Sequence, residues 1–349
     1  MLTCATKTAG MDLGDKYSHI CVIDEAGEIT EVTRVQTNDK RLAAYFALRP
    51  KMTVVMETGT HSPWVSRLVE AKGHEVIVAN ARRLRLISEN HKKTDETDAE
   101  LLARLGRADP KLLAPIKHRK EKTQVEMVEI RARAALVEAR TQLVNSVRGL
   151  VKAMGYRMPG CSSQAFGKKT QVLPSELRPS LEPMLACIEK LSEEIKAADK
   201  RIEAIAETTY PTETKSLRSI PGVGALTALA FILTLEDPSR FKSARTAGAF
   251  LGLTRRRSQS GDDDPQLRIT KRGNPYLRKL LVQSAHYILG PHGPDSALRR
   301  WGQKLAERGG KNTKKRARVA VARKLAVLMY RLWVTSEIYE PFRAQAQPS

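Results

Sequence analysis

Residues Gly10–Gln36 read GMDLGDKYSHICVIDEAGEITEVTRVQ, and three strand signals follow one another within them. Gly10 to Gly14 is a short strand carrying Asp12, SHICVID (Ser18 to Asp24) is a second, and ITEVTRVQ (Ile29 to Gln36) is a third, with a turn at EAGE. Apolar, β-branched runs separated by turn residues predict an antiparallel meander. Outward from it, Lys40 to Leu48 is helical in composition, and MTVVME (Met52 to Glu57) is a buried strand ending in an acid. Ser62 to Ala71 is a second helix, and HEVIVAN (His74 to Asn80) is the last strand before the helical segment KKTDETDAELLARL (Lys92 to Leu105). The order βββαβαβα predicts a mixed sheet with helices on its faces. The remainder of the chain reads as almost entirely helical.

The helical segment is oddly acidic at its start for so basic a chain. Asp95, Asp98, Leu102 and Leu105 fall at i, i+3, i+7 and i+10, which is one side of an α-helix, so both aspartates are expected to point inward. Glu96, Glu100 and Arg104 repeat at i, i+4 on the other side, where charged pairs meet water. A simpler reading has Thr94 or Asp95 capping the helix, with acids in its first turn complementing the dipole. Asp12 ends the first strand and Glu57 a later one, so with the strands side by side these acids would converge on one end of the sheet. Converging carboxylates repel unless cations neutralise them, which implies Mg²⁺ or Mn²⁺ held by oxygen ligands. Two such ions about 3.5–4 Å apart would activate an attacking oxygen and stabilise a leaving one at a phosphodiester. Taken singly, Asp12 is equally readable as a turn residue and Glu57 as a cap of the next helix.

Composition narrows the partner. The 349 residues hold 60 Lys and Arg against 38 Asp and Glu, a net charge of +22, with 5% aromatics. That excess points to a polyanion, with nucleic acid the leading candidate. The length suffices for two ordinary cores. No apolar run marks a membrane span, no signal-peptide core precedes the first strand, and no aromatic-faced terminal helix suggests a membrane surface. Cys4, Cys21, Cys161 and Cys187 are scattered without metal-binding spacing, so a reducing cytoplasm is expected.

MDLG with Asp12, VVMETGT with Glu57 and KTDETDAELLA with Asp95 and Asp98 resemble the DEDD, RuvC-like domain of transposases of the IS-one-ten insertion-sequence family. The resemblance continues in SIPGVGALTALAFILTLEDPSRF (Ser219 to Phe241), AGAFLGLTRRRSQSG (Ala247 to Gly261) and ITKRGNPYLRKLL (Ile269 to Leu281). It implies an α/β RNase H-like nuclease domain over residues 1–117, a helical coiled-coil linker over 118–210 and a mostly α transposase domain over 211–349. It further implies a recombinase of mobile DNA that uses a structured guide (bridge) RNA pairing with donor and target DNA. Ser260, directly before a glycine, is implied as the nucleophile, with Ser258 its local competitor. The two active-site parts are implied to meet across subunits, in a dimer or tetramer, within the bacterial cytoplasm at the nucleoid.

The C-terminal motifs also have readings of their own. IPGVG (Ile220 to Gly224) sets Gly222 and Gly224 where two helices meet, as in modules offering backbone N–H groups to a phosphate; an ordinary helix–helix turn using glycine is the alternative. In TRRRSQSG, Arg255, Arg256 and Arg257 could grip a scissile phosphate or form a plain basic loop. Asp262 to Asp264 would weaken such a contact. Lys271 and Arg272 are further candidate contacts, and Lys314, Lys315 and Arg316 in GGKNTKKRARVAVARK read as a basic helix or arm along a phosphate backbone. Val125 to Val151 and Leu181 to Ile205 are long helices with apolar stripes, Val125, Val128, Ala132, Ala135 and Ala139 on one, and Ile188, Leu191, Ile195, Ile202 and Ile205 on the other. Packing between subunits and antiparallel packing within one chain are both open. MPGCSSQAFGKK (Met158 to Lys169) between them is expected to be a flexible tip. The resulting reading is a DNA recombinase; a metal-dependent junction-resolving nuclease would need the carboxylates but not Ser260, and a non-catalytic nucleic-acid scaffold would need neither.

Overall fold

The computed structural model describes residues 7–81, 94–259, 261, 263, 265, 267–310 and 312–342. They fall into two compact units, Met1–Arg119 and Lys120–Ser349.

In the first unit the meander forms as predicted: β1 (Thr8–Leu13), β2 (Tyr17–Ile23) and β3 (Ile29–Gln36) pair antiparallel. Then come α1 (Asp39–Ala47), β4 (Thr53–Glu57), α2 (Ser62–Ala71), β5 (Glu75–Ala79) and α3 (Asp95–Ala108). The sheet order is β3-β2-β1-β4-β5, with β4 parallel to both β1 and β5. This is the mixed sheet with helices on its faces expected of the RNase H-like arrangement. Strand alternation divides the core in two. Ala9, Met11, Ile20, Val22, Val54 and Met56 pack under α1 and α2 against Leu42, Phe46, Val65 and Val69. Val55 and Cys21 face the other way, against Leu102, Ala99 and Ala103 of α3.

The contact with α3 is unusually close because its partners are small. A Cβ built on Gly10 of β1 would lie 1.9 Å from the Ala99 carbonyl oxygen and 2.4 Å from the Ala103 nitrogen. One built on Gly106 would lie 2.3 Å from Val55 Cγ2 and 3.5 Å from Thr8 Cγ2. These contacts also fix direction: the end of α3 lies over Thr8, the start of β1, so its first turn lies toward the end of β1 where Asp12 sits.

The second unit is helical. α4 (Glu121–Ala153) and α5 (Arg178–Thr209) run antiparallel within the chain, tied by Arg133–Asp199 at 2.7 Å and Arg201–Glu129 at 2.8 Å. Met127, Ile130, Val144, Val147 and Val151 are buried on α4, and Ile188, Ile195 and Ile202 on α5. The α5 stripe therefore faces inward as expected, whereas Val125, Val128, Ala132 and Ala135 of the α4 stripe are exposed. Intrachain packing selects the neighbouring face because its larger side chains remove more apolar area from water. The segment expected to be a flexible tip is anchored instead. Phe166 is fully buried among Val147, Leu173, Leu181 and Ile188, with the Arg148 guanidinium over its ring.

The remaining helices are α6 (Pro211–Arg218), α7 (Ala225–Leu235), α8 (Ala244–Phe250), α9 (Pro275–Leu289), α10 (Ala297–Glu307) and α11 (Thr313–Thr335). α7 is buried from Thr227 to Leu235, and the core around it includes Met127, Ile130, Ile202 and Ala206 of the long pair. No described helix is long and apolar enough to cross a membrane.

Candidate active site

Strand register brings two of the predicted carboxylates to neighbouring positions. Asp12 is the Cα partner of His19 on β2, and Met11 pairs with Met56 on β4, which sets Glu57 beside Asp12 one residue further on. Alternation puts Asp12 on the face of Gly10 and Glu57 on the face of Val55, the side covered by α3. From α3, Asp98 enters this space and is 5% exposed. Thr94, not an acid, caps the helix in a reciprocal box with Thr97.

Asp95 departs from the expectation that it points inward: its side chain is 69% exposed. It is the first residue after the Thr94 cap. Its carboxylate still faces the site, with Oδ2 3.7 Å from His19 Nε2. Glu96 is exposed, and Glu100 is paired with Arg104 at 2.7 Å, as helical spacing implied. Among the described residues no three His, Cys, Asp or Glu side chains are gathered as a ready-made metal cage. Asp12, Glu57 and Asp98 nonetheless supply an all-oxygen donor set from three elements on one face, the chemistry that suits a hard divalent cation.

The loop after Glu57 is braced by groups that motif reading missed. Thr58 Oγ1 donates to the Ala79 carbonyl at 2.6 Å, holding the ends of β4 and β5 together. Ser62 Oγ donates to Gly59 O at 2.9 Å and accepts from Gly59 N at 3.0 Å. His118 Nε2 lies 2.9 Å from the same oxygen, and with the serine hydrogen already given away, the imidazole is the donor. Burial, reinforced by Arg67 and Arg119, holds His118 below the ordinary histidine pKa. On the α3 face, burial, with Glu100 adding to it, raises the Cys21 thiol. His19 and His118 carry no local motif; cross-strand pairing and chain return bring them here.

The second candidate site lies in the second unit. Thr254–Arg256 and Arg268–Thr270 form a short antiparallel ladder, with Arg256 N donating to Arg268 O at 2.9 Å and Thr270 N to Thr254 O at 2.8 Å. Arg255, Arg256, Arg257 and Ser258 are exposed along it. Ser260, Asp262 and Asp264 lie outside the described residues. The base of the ladder is close-packed: Gly252 has φ +69°, and a Cβ there would meet the Arg272 oxygen at 2.0 Å. Arg278 Nη1 donates to Leu251 O at 3.1 Å and Arg272 O at 2.8 Å. Asn274 caps α9. Much of KRGNPYLRK is thus structural, while Lys271 and Arg272 side chains are exposed. Gly222, at φ +87°, turns the chain against Tyr287, and Gly224 begins α7 as its N-cap. Lys314, Lys315 and Arg316 are exposed in the first turn of α11.

Residues 9–155 match the family model described as a DEDD transposase of the IS110 type, and residues 214–299 match the transposase family IS116/IS110/IS902. The chain is 28% identical over 347 residues to the transposase for insertion sequence element IS1111A of Coxiella burnetii, covering 95% of this chain and 91% of that one. It is 26% identical over 341 residues to a probable family 20 transposase of Pseudomonas aeruginosa, covering 95% and 98%. It is 28% identical over 290 residues to the transposase of element IS1328 of Yersinia enterocolitica, covering 80% and 83%. With one model matching from β1 through α4, another matching within the second unit, and relatives aligned along most of its length, the chain belongs to the IS110-type family of insertion-sequence transposases and is a DNA-recombining enzyme.

Proposed function

We propose that this transposase cuts and rejoins DNA with two sets of parts, the carboxylates Asp12, Glu57, Asp95 and Asp98 and the nucleophile Ser260. The observation that carries the reading is the register of Asp12 beside Glu57 on parallel strands, on the face where α3 buries Asp98. A DEDD transposase domain implies divalent-metal dependence, and Mg²⁺ or Mn²⁺ is the proposed cation. Bound there, it would offset the mutual repulsion of the carboxylates and draw charge from the oxygens at the phosphorus. Asp12, Glu57 and Asp98 hold the cation's side of the site, and Arg255, Arg256 and Arg257 orient the phosphate for Ser260. Ser260 Oγ bonds to phosphorus, one phosphorus–oxygen bond to sugar breaks, and the serine proton ends on the released sugar oxygen. The phosphoserine retains the energy of the broken diester, so rejoining needs no external cofactor.

Residues 1–117, 118–210 and 211–349 act in this proposal as nuclease, linker and transposase parts, within the bacterial cytoplasm at the nucleoid. A structured guide RNA selects donor and target DNA, a reading supported by the net charge of +22, by the exposed residues Gly224, Lys271, Arg272, Lys314, Lys315 and Arg316, and by the half-buried Gly222 at the turn before α7. The exposed stripe of Val125, Val128, Ala132 and Ala135 supports homo-oligomers joined by coiled-coil packing.

The test incubates the full chain, its co-purifying RNA and labelled nicked element-end DNA with Mg²⁺, then denatures the mixture and looks for a protein–DNA adduct. Wild type and Ser258→Ala should form an adduct that maps to Ser260, and Ser260→Ala should not. An adduct on Ser258, or strand transfer undiminished in Ser260→Ala, refutes the assignment; cleavage that needs the carboxylates but not Ser260 indicates a hydrolytic nuclease.

A further inference from the structure

The register that sets Asp12 beside Glu57 continues across the sheet. Asp12 on β1 pairs with His19 on β2, and His19 pairs with Arg34 on β3. Directly paired residues share a sheet face, so Glu57, Asp12, His19 and Arg34 form a row on the side of α3. The row changes from anionic to cationic along its length. Strands are about 4.8 Å apart, which puts the Arg34 backbone about 10 Å from that of Asp12. Arg34 and Val32 are exposed on β3, at the edge of the sheet, and Tyr17, two residues before His19 and on the same face, is 40% exposed.

Arg34 is held in an uncommon way. Its guanidinium carbon lies 5.0 Å from the centroid of the Tyr17 ring, and no carboxylate pairs with it among the described residues. The acid nearest in sequence on β3, Glu31, belongs to the opposite face and is taken by Arg49. A guanidinium steadied by an aromatic ring keeps its planar fork of donors for an oxyanion, at the smaller desolvation cost that distinguishes arginine from lysine.

Resting on the carboxylate reading above, we infer that Arg34, backed by Tyr17, is a phosphate-binding subsite for the DNA strand being cut. It receives a phosphate flanking the scissile one, so that the strand crosses the sheet from β4 toward β3. Arg34 is a positioning residue: it fixes the register of the strand and takes no part in bond making. DNA is favoured over RNA because the subsite is continuous with the carboxylates at which the DNA phosphodiester is cut.

The experiment uses the full chain with its co-purifying RNA, in Ca²⁺ to allow binding without turnover. The probes are element-end duplexes carrying one uncharged methylphosphonate at successive linkages around the cleavage point. In wild type, one linkage beside that point should cost roughly tenfold in affinity when neutralised, as expected for a charge-assisted contact. Arg34→Gln should bind unmodified DNA weaker by the same factor, lose nothing further at that linkage, and flatten the log-log salt dependence by about 1. Tyr17→Phe should keep the contact, and Arg34→Lys should keep only part of it. Because Arg34 is exposed, melting temperature should not move. Equal, additive sensitivity of Arg34→Gln at every linkage overturns the inference, as does weakened RNA binding with DNA binding intact. The parent reading fails on a different sign: Asp12→Ala cleaving DNA in Mg²⁺ at the wild-type rate.

Discussion

Gly10→Ala should disable the carboxylate site without touching any carboxylate. The added methyl carbon would lie 1.9 Å from Ala99 O and 2.4 Å from Ala103 N, where ordinary contact begins at 3.4 Å. α3 must therefore retreat from β1 by about 1.5 Å, and because both obstacles are backbone, no rotamer change relieves them. Gly10 is not among the residues with positive φ, so the constraint is space alone. Overpacking of this kind costs about 1–3 kcal/mol. The same retreat carries Asp98 away from Asp12 and Glu57, and a misplacement of about 1 Å costs about 10²-fold in rate. Gly106→Ala makes an informative partner. Its obstacle is one side-chain atom, Val55 Cγ2 at 2.3 Å, with Val55 Cβ at 3.5 Å, so Val55→Ala should restore much of what Gly106→Ala loses and nothing of what Gly10→Ala loses. Urea unfolding followed by fluorescence in a Trp301→Phe, Trp333→Phe background, which leaves Trp64 as the emitter, would report the first unit, and Mg²⁺-dependent strand cleavage would report the site. Wild-type unfolding and cleavage in Gly10→Ala, or equal rescue of both glycine variants by Val55→Ala, would show that the approach of α3 to β1 does not hold Asp98 in place.

Arg278→Met should loosen the base of the arginine ladder, leaving Leu251 O and Arg272 O without their charged donor, at about 1–3 kcal/mol; an unchanged melting temperature of the full chain would contradict this. The depressed pKa of His118 means that the unfolded chain takes up its proton first. Its contribution is therefore complete above the ordinary histidine value of about 6.5 and is lost as pH falls toward the folded value, with a slope of at most about 1.4 kcal/mol per pH unit. His118→Asn should remove that slope from a pH–stability curve, and an identical curve would exclude the role. Arg140 is buried between α4 and α5 with Nη1 on Ser192 Oγ at 3.2 Å and Nε without an acceptor among the described residues. Replacing so poorly compensated a charge by Met should leave stability equal or higher; a drop in melting temperature would show that the guanidinium is better satisfied than this geometry allows.

The order of elements in the first unit is legible in the residues alone, because strand runs such as ITEVTRVQ and the helical repeat of DETDAELLARL carry their period locally. The sequence also put Asp12 and Glu57 near the ends of their strands and Asp98 on the apolar stripe of its helix, the positions they occupy in the fold. What it did not carry was distance between segments. His19 belongs beside Asp12, and Arg34 beside His19, only through strand register, and nothing in YSHICVI distinguishes that histidine from a surface one. Asp95 and Asp98 share a helix side in projection, yet only the tertiary structure decides that Asp98 is covered and Asp95 is not. On α4 two apolar faces compete in the sequence, and the larger side chains of Met127 and Ile130 win the intrachain contact while Val125 and Val128 stay in water. Gly10 reads as an ordinary strand residue until α3 is laid on β1 at a separation that admits no side chain. The physical reason is common to these cases: periodicity is a property of a single segment, whereas burial, register and close approach exist only once a second segment is in place.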